Sequence, residues 1–268
     1  MRLRYAPKNL DSNSSDHADG KRAHRISPEL LDSFGVRRRK IMTIVLPFQA
    51  SDQPRAERLL DLIHWLGGGQ HCLLVPTPDV GPEARTKTQI AAEAGFHTVD
   101  VLNVERLQGT EKVQRINSLF GSAARFIADA YKDPWLWLEP TCVPLKASWL
   151  PALEDRYQAQ ARRYMGAFMK GGNQIFLHKV CVYPCDAIKD IDVQTQNPFW
   201  RVSPIVTKAS KTDLIKVQKW EEGFKTDAVL LDGDPSGKLV EQLIESAKKP
   251  FVGQTRLVKT PQKAKSAV

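Results

Sequence analysis

The feature that most constrains the fold of this chain is an alternation of short apolar runs with segments of helical periodicity between residues 41 and 138. The helical segments place apolar residues on one face, as helices packed on a core do. A β-α-β-α order of this kind predicts an α/β fold with a single Rossmann-like, mostly parallel sheet flanked by helices. The apolar runs have the length and composition of buried parallel strands, and they are Ile41–Leu46, His71–Val75, 97–102 and Trp135–Leu138.

The intervening segments carry recognisable helix signals. Asp52 can cap a helix whose first turn contains Pro54, and Gly67–Gly69 would terminate it. A second helix is predicted at about 82–95, and the longest amphipathic stretch runs from Val113 to Tyr131. The ends of the first, second and fourth strands are therefore the places where ligand-binding loops are expected.

Charge is distributed unevenly along the 268 residues, whose formal net charge is +9. Residues 1–40 hold ten Lys and Arg against five Asp and Glu, and residues 248–268 hold six against none. This predicts a disordered basic arm at 1–40, a folded domain at 41–247 and a flexible basic tail at 248–268. Attraction to DNA, RNA or a membrane surface would act through these arms, and the alternative is that they only keep the protein soluble.

Compartment signals point to the cytoplasm. No run of 18 or more apolar residues is present, so no membrane span is expected, and the N-terminus lacks the apolar region of a secretory signal. The four cysteines, at 72, 142, 181 and 185, show no Cys-x-x-Cys spacing. They are predicted to be buried thiols in a reducing compartment.

The stretch from Trp135 to Leu145 is the richest in functional signals. It is predicted to be a buried strand that ends in a carboxylate, Glu139, followed by a loop made rigid by Pro140 and Pro144. Ligands of open α/β sheets bind at the carboxyl ends of strands, so Glu139 is well placed for chemistry. The alternative is a core strand that runs into an ordinary turn.

With its continuation through Lys146–Leu153, this stretch resembles the metal and nucleotide-sugar segment of glycosyltransferases of the A-type (GT-A) fold, most closely a group found in tailed phages. The resemblance covers roughly residues 41–243. Val182–Pro184 matches the group's "VYP" strand, and Asp232–Leu239 resembles its C-terminal segment. Two positions of the metal segments depart from the pattern: Thr141 stands where a second carboxylate is expected, and Asp232 stands where a histidine is expected.

The resemblance implies a donor site and its residues. Pro47, Phe48 and Gln49 would cradle the base, Asp79 would contact base or ribose, and Glu139 and Thr141 would contact the donor. A Mn²⁺ or Mg²⁺ ion held by Glu139 and Asp232 would stabilise the departing diphosphate. A metal-independent site that uses Lys or Arg is the alternative.

The general base is harder to assign, because Trp200 follows Phe199 where the family often has an aspartate. Asp186, just beyond Pro184, is the nearest alternative carboxylate. His178 and Lys238 are candidate contacts to phosphate or acceptor, with a structural histidine and an ordinary glycine-rich turn as the alternatives.

These signals predict an enzyme that moves a sugar from a nucleotide-sugar donor to an acceptor. A hydroxymethylated base in phage DNA is one acceptor, and protein or small-molecule acceptors are open. The alternative is a catalytically degenerate GT-A-like protein that binds a nucleotide, a polymer or a protein partner.

Overall fold

The structure is a computed structural model that describes residues 41–104, 111–195, 197–201 and 203–248. The predicted arms lie outside the described residues, except Lys248. The strands of the described part are β1 Thr43–Phe48, β2 His71–Pro76, β3 Thr98–Val101, β4 Trp135–Trp137, β5 Cys142–Pro144, β6 Tyr164–Gly171, β7 Gln174–Tyr183, β8 Ala209–Lys211, β9 Ile215–Val217 and β10 Leu230–Asp232. The α-helices there are α1 Gln53–Leu66, α2 Pro82–Glu93, α3 Lys112–Ala130, α4 Trp149–Gln158, α5 Ser203–Thr207 and α6 Lys238–Lys248.

The main sheet confirms the predicted fold class. Its seven strands follow the order β3-β2-β1-β4-β7-β6-β8. The four strands predicted from the apolar runs form a continuous parallel block, with β1 hydrogen-bonded between β2 and β4, and β8 is also parallel to its neighbour β6. β7 lies antiparallel to both β4 and β6, so the sheet is mostly parallel but mixed beyond β4.

Helices cover both faces of the sheet. Side chains on both sides of its parallel strands are therefore buried, and the strand sequences are continuous apolar runs. Along β1, successive side chains face opposite layers: Ile44 and Leu46 pack with α1, α2 and α4, and Val45 packs with α3. The α3 layer contains an aromatic cluster built around Phe120, which is fully buried. The result is a three-layer α/β/α arrangement.

A second sheet of three strands, ordered β5-β10-β9, holds the C-terminal segment against the turn after β4. β10 pairs antiparallel with β5, and this register sets Asp232 opposite Cys142. Residues distant in sequence therefore meet at the turn after β4.

Pro47 and Phe48 are part of β1 and do not form the loop predicted after it. The Val45 carbonyl accepts a hydrogen bond from Leu138 N–H on the β4 side, and the Phe48 carbonyl accepts one from Thr77 N–H on the β2 side. Backbone groups alternate sides along a strand, so Pro47 nitrogen faces the β4 side, where β4 has already ended. Its missing N–H therefore costs no ladder hydrogen bond.

The start of α1 differs from the prediction in one respect. Pro54 does lie in the first turn, but the Asp52 side chain makes no capping hydrogen bond. A short 3₁₀ turn at Ala50–Asp52 precedes the helix and directs Asp52 into a cleft. Gly67 ends α1 with a φ of +90°, as the glycine run predicts.

All four cysteines are free thiols; three are buried and Cys185 is half-buried. Among the described residues, no helix combines the length and apolar character needed to cross a bilayer.

Candidate functional site

A cleft of about 640 Å³ opens at the carboxyl ends of β1, β2 and β4, the edge where ligands bind in open α/β sheets. Four of the predicted donor-site residues meet there: Pro47, Phe48, Gln49 and Glu139. The remaining lining residues are Asp52, Thr77, Lys112, Arg115, Ile116, Leu119, Trp137, Pro140 and Lys179.

Glu139 reaches the cleft through a tight turn. Cys142 N–H donates to the Glu139 carbonyl at 2.9 Å, and Pro140 occupies the second turn position, which its fixed φ favours. The Glu139 carboxylate accepts a hydrogen bond from Trp137 Nε1–H at 3.5 Å and forms an ion pair with the Lys179 ammonium. Glu139 is thus a partnered carboxylate.

Lys179 reaches Glu139 because β7 bulges. Gly166 pairs with Cys181 and Phe168 pairs with Leu177, so a single β6 residue opposes three β7 residues at 178–180. Bulges of this kind redirect side chains and occur often beside active sites. The ammonium also lies 5.8 Å from the centre of the ring of Trp200, the residue that stands where the family often has an aspartate.

Thr141 and Asp232, the two metal-segment positions that depart from the family pattern, contact each other. The Thr141 hydroxyl donates to Asp232 Oδ1 at 2.8 Å. Gly233, which follows Asp232, has a φ of +153°, and a Cβ there would lie 1.8 Å from the Gln218 carbonyl oxygen. Only glycine fits this close approach, which fixes the chain on which Asp232 lies.

His178 faces the same aspartate, with Nε2 3.6 Å from Asp232 Oδ2. Its Nδ1 accepts a hydrogen bond from Val180 N–H at 3.2 Å, so the neutral ring carries its proton on Nε2. Burial and the neighbouring Lys179 charge lower the pKa of His178 to about 4. His178 is neutral at pH 7 and does not line the cleft.

This pKa predicts a stability change with pH. The unfolded-state pKa is about 6.5, so between about pH 4 and 6.5 the unfolded chain binds more protons than the folded one. The free energy of unfolding should therefore fall by on the order of 2–3 kcal/mol as the pH is lowered through that window. Urea unfolding across the window measures it.

His178→Asn keeps an acceptor for Val180 N–H and should flatten the profile. The exposed His97→Asn is the matched control and should leave it unchanged. An unaltered slope in His178→Asn would assign the pH dependence to other groups.

Asp79 is exposed and is not among the residues that line the cleft. Its carboxylate accepts hydrogen bonds from the Thr77 hydroxyl and, at 3.3 Å, from Ala50 N–H, and these bonds lower the pKa of Asp79. It ties the end of β2 to the turn before α1. Thr77, two residues earlier, is the one that lines the cleft.

Asp186 and Lys238 are not brought to the cleft. β7 runs antiparallel to β4, so Asp186, beyond the end of β7, lies at the opposite edge of the sheet. There it pairs with Arg163 at 2.7 Å, and this position argues against its predicted role as general base. Lys238 is an exposed residue at the start of α6, whose first turn is capped by the Asp234 carboxylate.

Several lining residues were not predicted from the sequence. Lys112 and Arg115 lie in the first turn of α3, the helix that follows β3, and Lys179 is adjacent to the predicted His178. The placement of helix N-termini at the ligand edge of a parallel sheet could have singled out the first two. The residue pattern does not predict the bulge in β7 that places Lys179 in the cleft.

The side chains present do not fit the predicted Mn²⁺ or Mg²⁺ site. Such ions are often held by only one or two carboxylates, with phosphates and water completing the coordination shell, so the fit depends on whether Glu139 and Asp232 are free to bind one. Within the described part of the chain, no three His, Cys, Asp or Glu side chains converge to hold a metal ion. Glu139 is paired with an ammonium, and Asp232 is hydrogen-bonded to Thr141.

Comparison with protein-family profiles and with curated protein sequences gives no match. Solved structures do match. The galactosyltransferase LgtC in complex with donor and acceptor sugar analogues superposes with a TM-score of 0.53 at 6% identity, over 78% of this chain and 97% of that one. An active-site mutant of LgtC gives a TM-score of 0.51 at 7% identity, over 80% of this chain and 98% of that one.

The bifunctional glycosyltransferase WbbM in its apo form gives a TM-score of 0.50 at 7% identity. That match covers 79% of this chain and half of the WbbM chain. The chain has the GT-A fold. At these identities the likeness shows the fold alone, and the chemistry must be argued from the cleft.

Proposed function

We propose that this protein transfers a sugar from a nucleotide-sugar donor to an acceptor. The observation that carries the proposal is the cleft at the carboxyl ends of β1, β2 and β4. It combines an aromatic residue, a carboxylate on a rigid turn and three cationic side chains in a GT-A fold. A base, a ribose, a diphosphate and a sugar need that combination of surfaces.

The lining residues divide by chemistry. Phe48, which is buried in the core but reaches the cleft lining, offers a ring edge to a base, and Gln49 and Thr77 offer hydrogen-bonding groups to base or ribose. Lys112, Arg115 and Lys179 offer positive charge to a diphosphate. Glu139, on the turn after β4, and Trp137, the last residue of β4, are assigned to the sugar side of the donor.

The proposed reaction breaks the bond between the anomeric carbon and the β-phosphate oxygen, and the electron pair stays on the departing diphosphate. An acceptor hydroxyl oxygen forms the new bond to the anomeric carbon. Its proton passes to solvent or to one of the two carboxylates that line the cleft, Asp52 and Glu139. The cationic side chains stabilise the negative charge that builds on the leaving group.

Removing the Glu139 charge should lower turnover. Glu139→Gln keeps the shape of the side chain but removes the charge that positions the Lys179 ammonium and that can accept the acceptor proton, so donor hydrolysis should slow by about tenfold or more. The assay is release of nucleoside diphosphate across a panel of nucleotide sugars. Glu245→Gln, on the exposed face of α6, is the matched control. Equal rates in both variants would make the turn structural.

A nucleic-acid acceptor, such as a hydroxymethylated base in DNA, is the finer proposal, and it rests on the charge of residues 1–40 and 248–268. If those segments bind phosphates, removing 1–40 and 249–268 should weaken duplex binding at least about tenfold and flatten its salt dependence. Fluorescence anisotropy at two salt concentrations measures both quantities. Unchanged binding by the truncated protein would place the contact surface in residues 41–248.

A binding protein without transferase activity is the second candidate. Trp200 in place of an aspartate, and Thr141 in place of a carboxylate, are the observations that favour it. If the protein only binds, it should bind a nucleotide sugar but release no nucleoside diphosphate with any acceptor. If it is a transferase, it should release nucleoside diphosphate.

A further inference from the structure

Lys179 is the charged group that most distinguishes this cleft. Its side chain is 24% exposed and is held by the Glu139 carboxylate, which is itself 19% exposed. Burying part of an ammonium costs free energy unless the charge is paired, and here the Glu139 carboxylate pairs it. Here the β7 bulge, a departure from regular pairing, brings it to the turn.

The ammonium lies at the carboxylate on which a divalent cation was predicted. Glu139 is the acidic residue of the turn after β4, and its contact is an amine and not a set of oxygen ligands. The neighbouring Asp232 accepts from Thr141 and faces His178. The described residues thus provide a positive charge at this point but not a converging ligand set.

We propose that Lys179 acts in place of a divalent cation, so that the diphosphate of the donor binds without metal. This inference rests on the proposed function. An ammonium has three N–H donors; Glu139 occupies one, and two remain for phosphate oxygens. Lysine is an effective phosphate ligand as a compact point charge.

The charges that line the cleft agree with this role. Lys112, Arg115 and Lys179 are opposed by Asp52 and Glu139. Without Lys179, a diphosphate would enter beside an unpaired Glu139 carboxylate and be repelled by it. With Lys179, the turn is neutral and the two α3 cations attract the diphosphate. When the anomeric carbon–oxygen bond breaks, the electron pair settles on a phosphate oxygen to which the ammonium donates.

Calorimetric titration with UDP, GDP, ADP, CDP and dTDP tests the proposal, each in excess EDTA and again with millimolar MnCl₂. At least one of these nucleoside diphosphates should bind equally well under both conditions. Lys179→Met should weaken that binding by about tenfold or more, and Lys179→Arg should restore most of it. Lys170→Met, an exposed position near the tip of the same hairpin, should bind as the native protein does.

Lys179→Met leaves Glu139 unpaired, so its fold is checked by thermal melting. The double variant Glu139→Gln, Lys179→Met removes both charges and keeps the test valid if the single variant is unstable. Binding that requires MnCl₂ overturns this inference and leaves the proposed function standing. Equal affinity in Lys179→Met and Lys170→Met also overturns it. No binding of any nucleoside diphosphate under either condition overturns the proposed function itself.

Discussion

Phe120→Ala is expected to lower the free energy of unfolding by about 3–5 kcal/mol, since that is the usual cost of removing a buried phenylalanine ring. Phe120 is fully buried and stacks on Phe199 with ring centres 3.7 Å apart. Its ring also contacts Trp135, Trp137 and Tyr183 at centre distances of 5.1–5.4 Å. Urea unfolding at neutral pH measures the loss.

The substitution should also disturb the packing of the cleft lining. Trp137, which contacts Phe120, lines the cleft, and Phe199 is followed by Trp200, which packs on Lys179. Ile90→Ala is the matched control: Ile90 is 61% exposed on α2, and its truncation should cost less than about 0.5 kcal/mol. A loss below about 1 kcal/mol in Phe120→Ala would mean that the aromatic cluster does not organise this side of the sheet.

Gln49→Trp is expected to abolish donor binding while leaving the fold intact. Gln49 lies just beyond β1, exposed in an extended conformation, and lines the cleft. An indole there has room to point outward into the cleft, where it would occupy the space assigned to the nucleotide. We expect affinity to fall by about a hundredfold or more, which is about 2.7 kcal/mol or more.

The parallel half of the fold could be predicted from sequence because its signals are local. Each buried strand is a short apolar run, and each intervening helix carries its own periodicity and end signals, so the adjacency of β1, β2 and β4 follows from right-handed crossovers. The antiparallel strands β6 and β7 were not predicted as such, although the resemblance identified Val182–Pro184. Their pairing depends on long-range register and on a bulge that no single residue predicts.

The residues of the candidate site were likewise predicted only in part. Pro47, Phe48 and Gln49 were predicted from the family resemblance and Glu139 from its position at the end of a buried strand, and all four line the cleft. Asp186 was misplaced because the direction of β7 was not known, and the sense of that strand decides which edge its end reaches. Lys179 was missed because the role proposed for it depends on a contact with Glu139, 40 positions earlier in the chain. The resemblance predicted a metal where the fold places that lysine.

The central claim is that the cleft at the ends of β1, β2 and β4 binds the nucleotide-sugar donor. Calorimetric titration of a nucleotide-sugar panel into the native protein, Gln49→Trp and Gln242→Trp tests it most directly. Gln242 is exposed on α6 and does not line the cleft, so its variant adds the same bulk elsewhere. The account predicts that one donor binds the native protein and Gln242→Trp alike and fails to bind Gln49→Trp. Equal binding to all three proteins, or binding of no donor to the native protein, would contradict it.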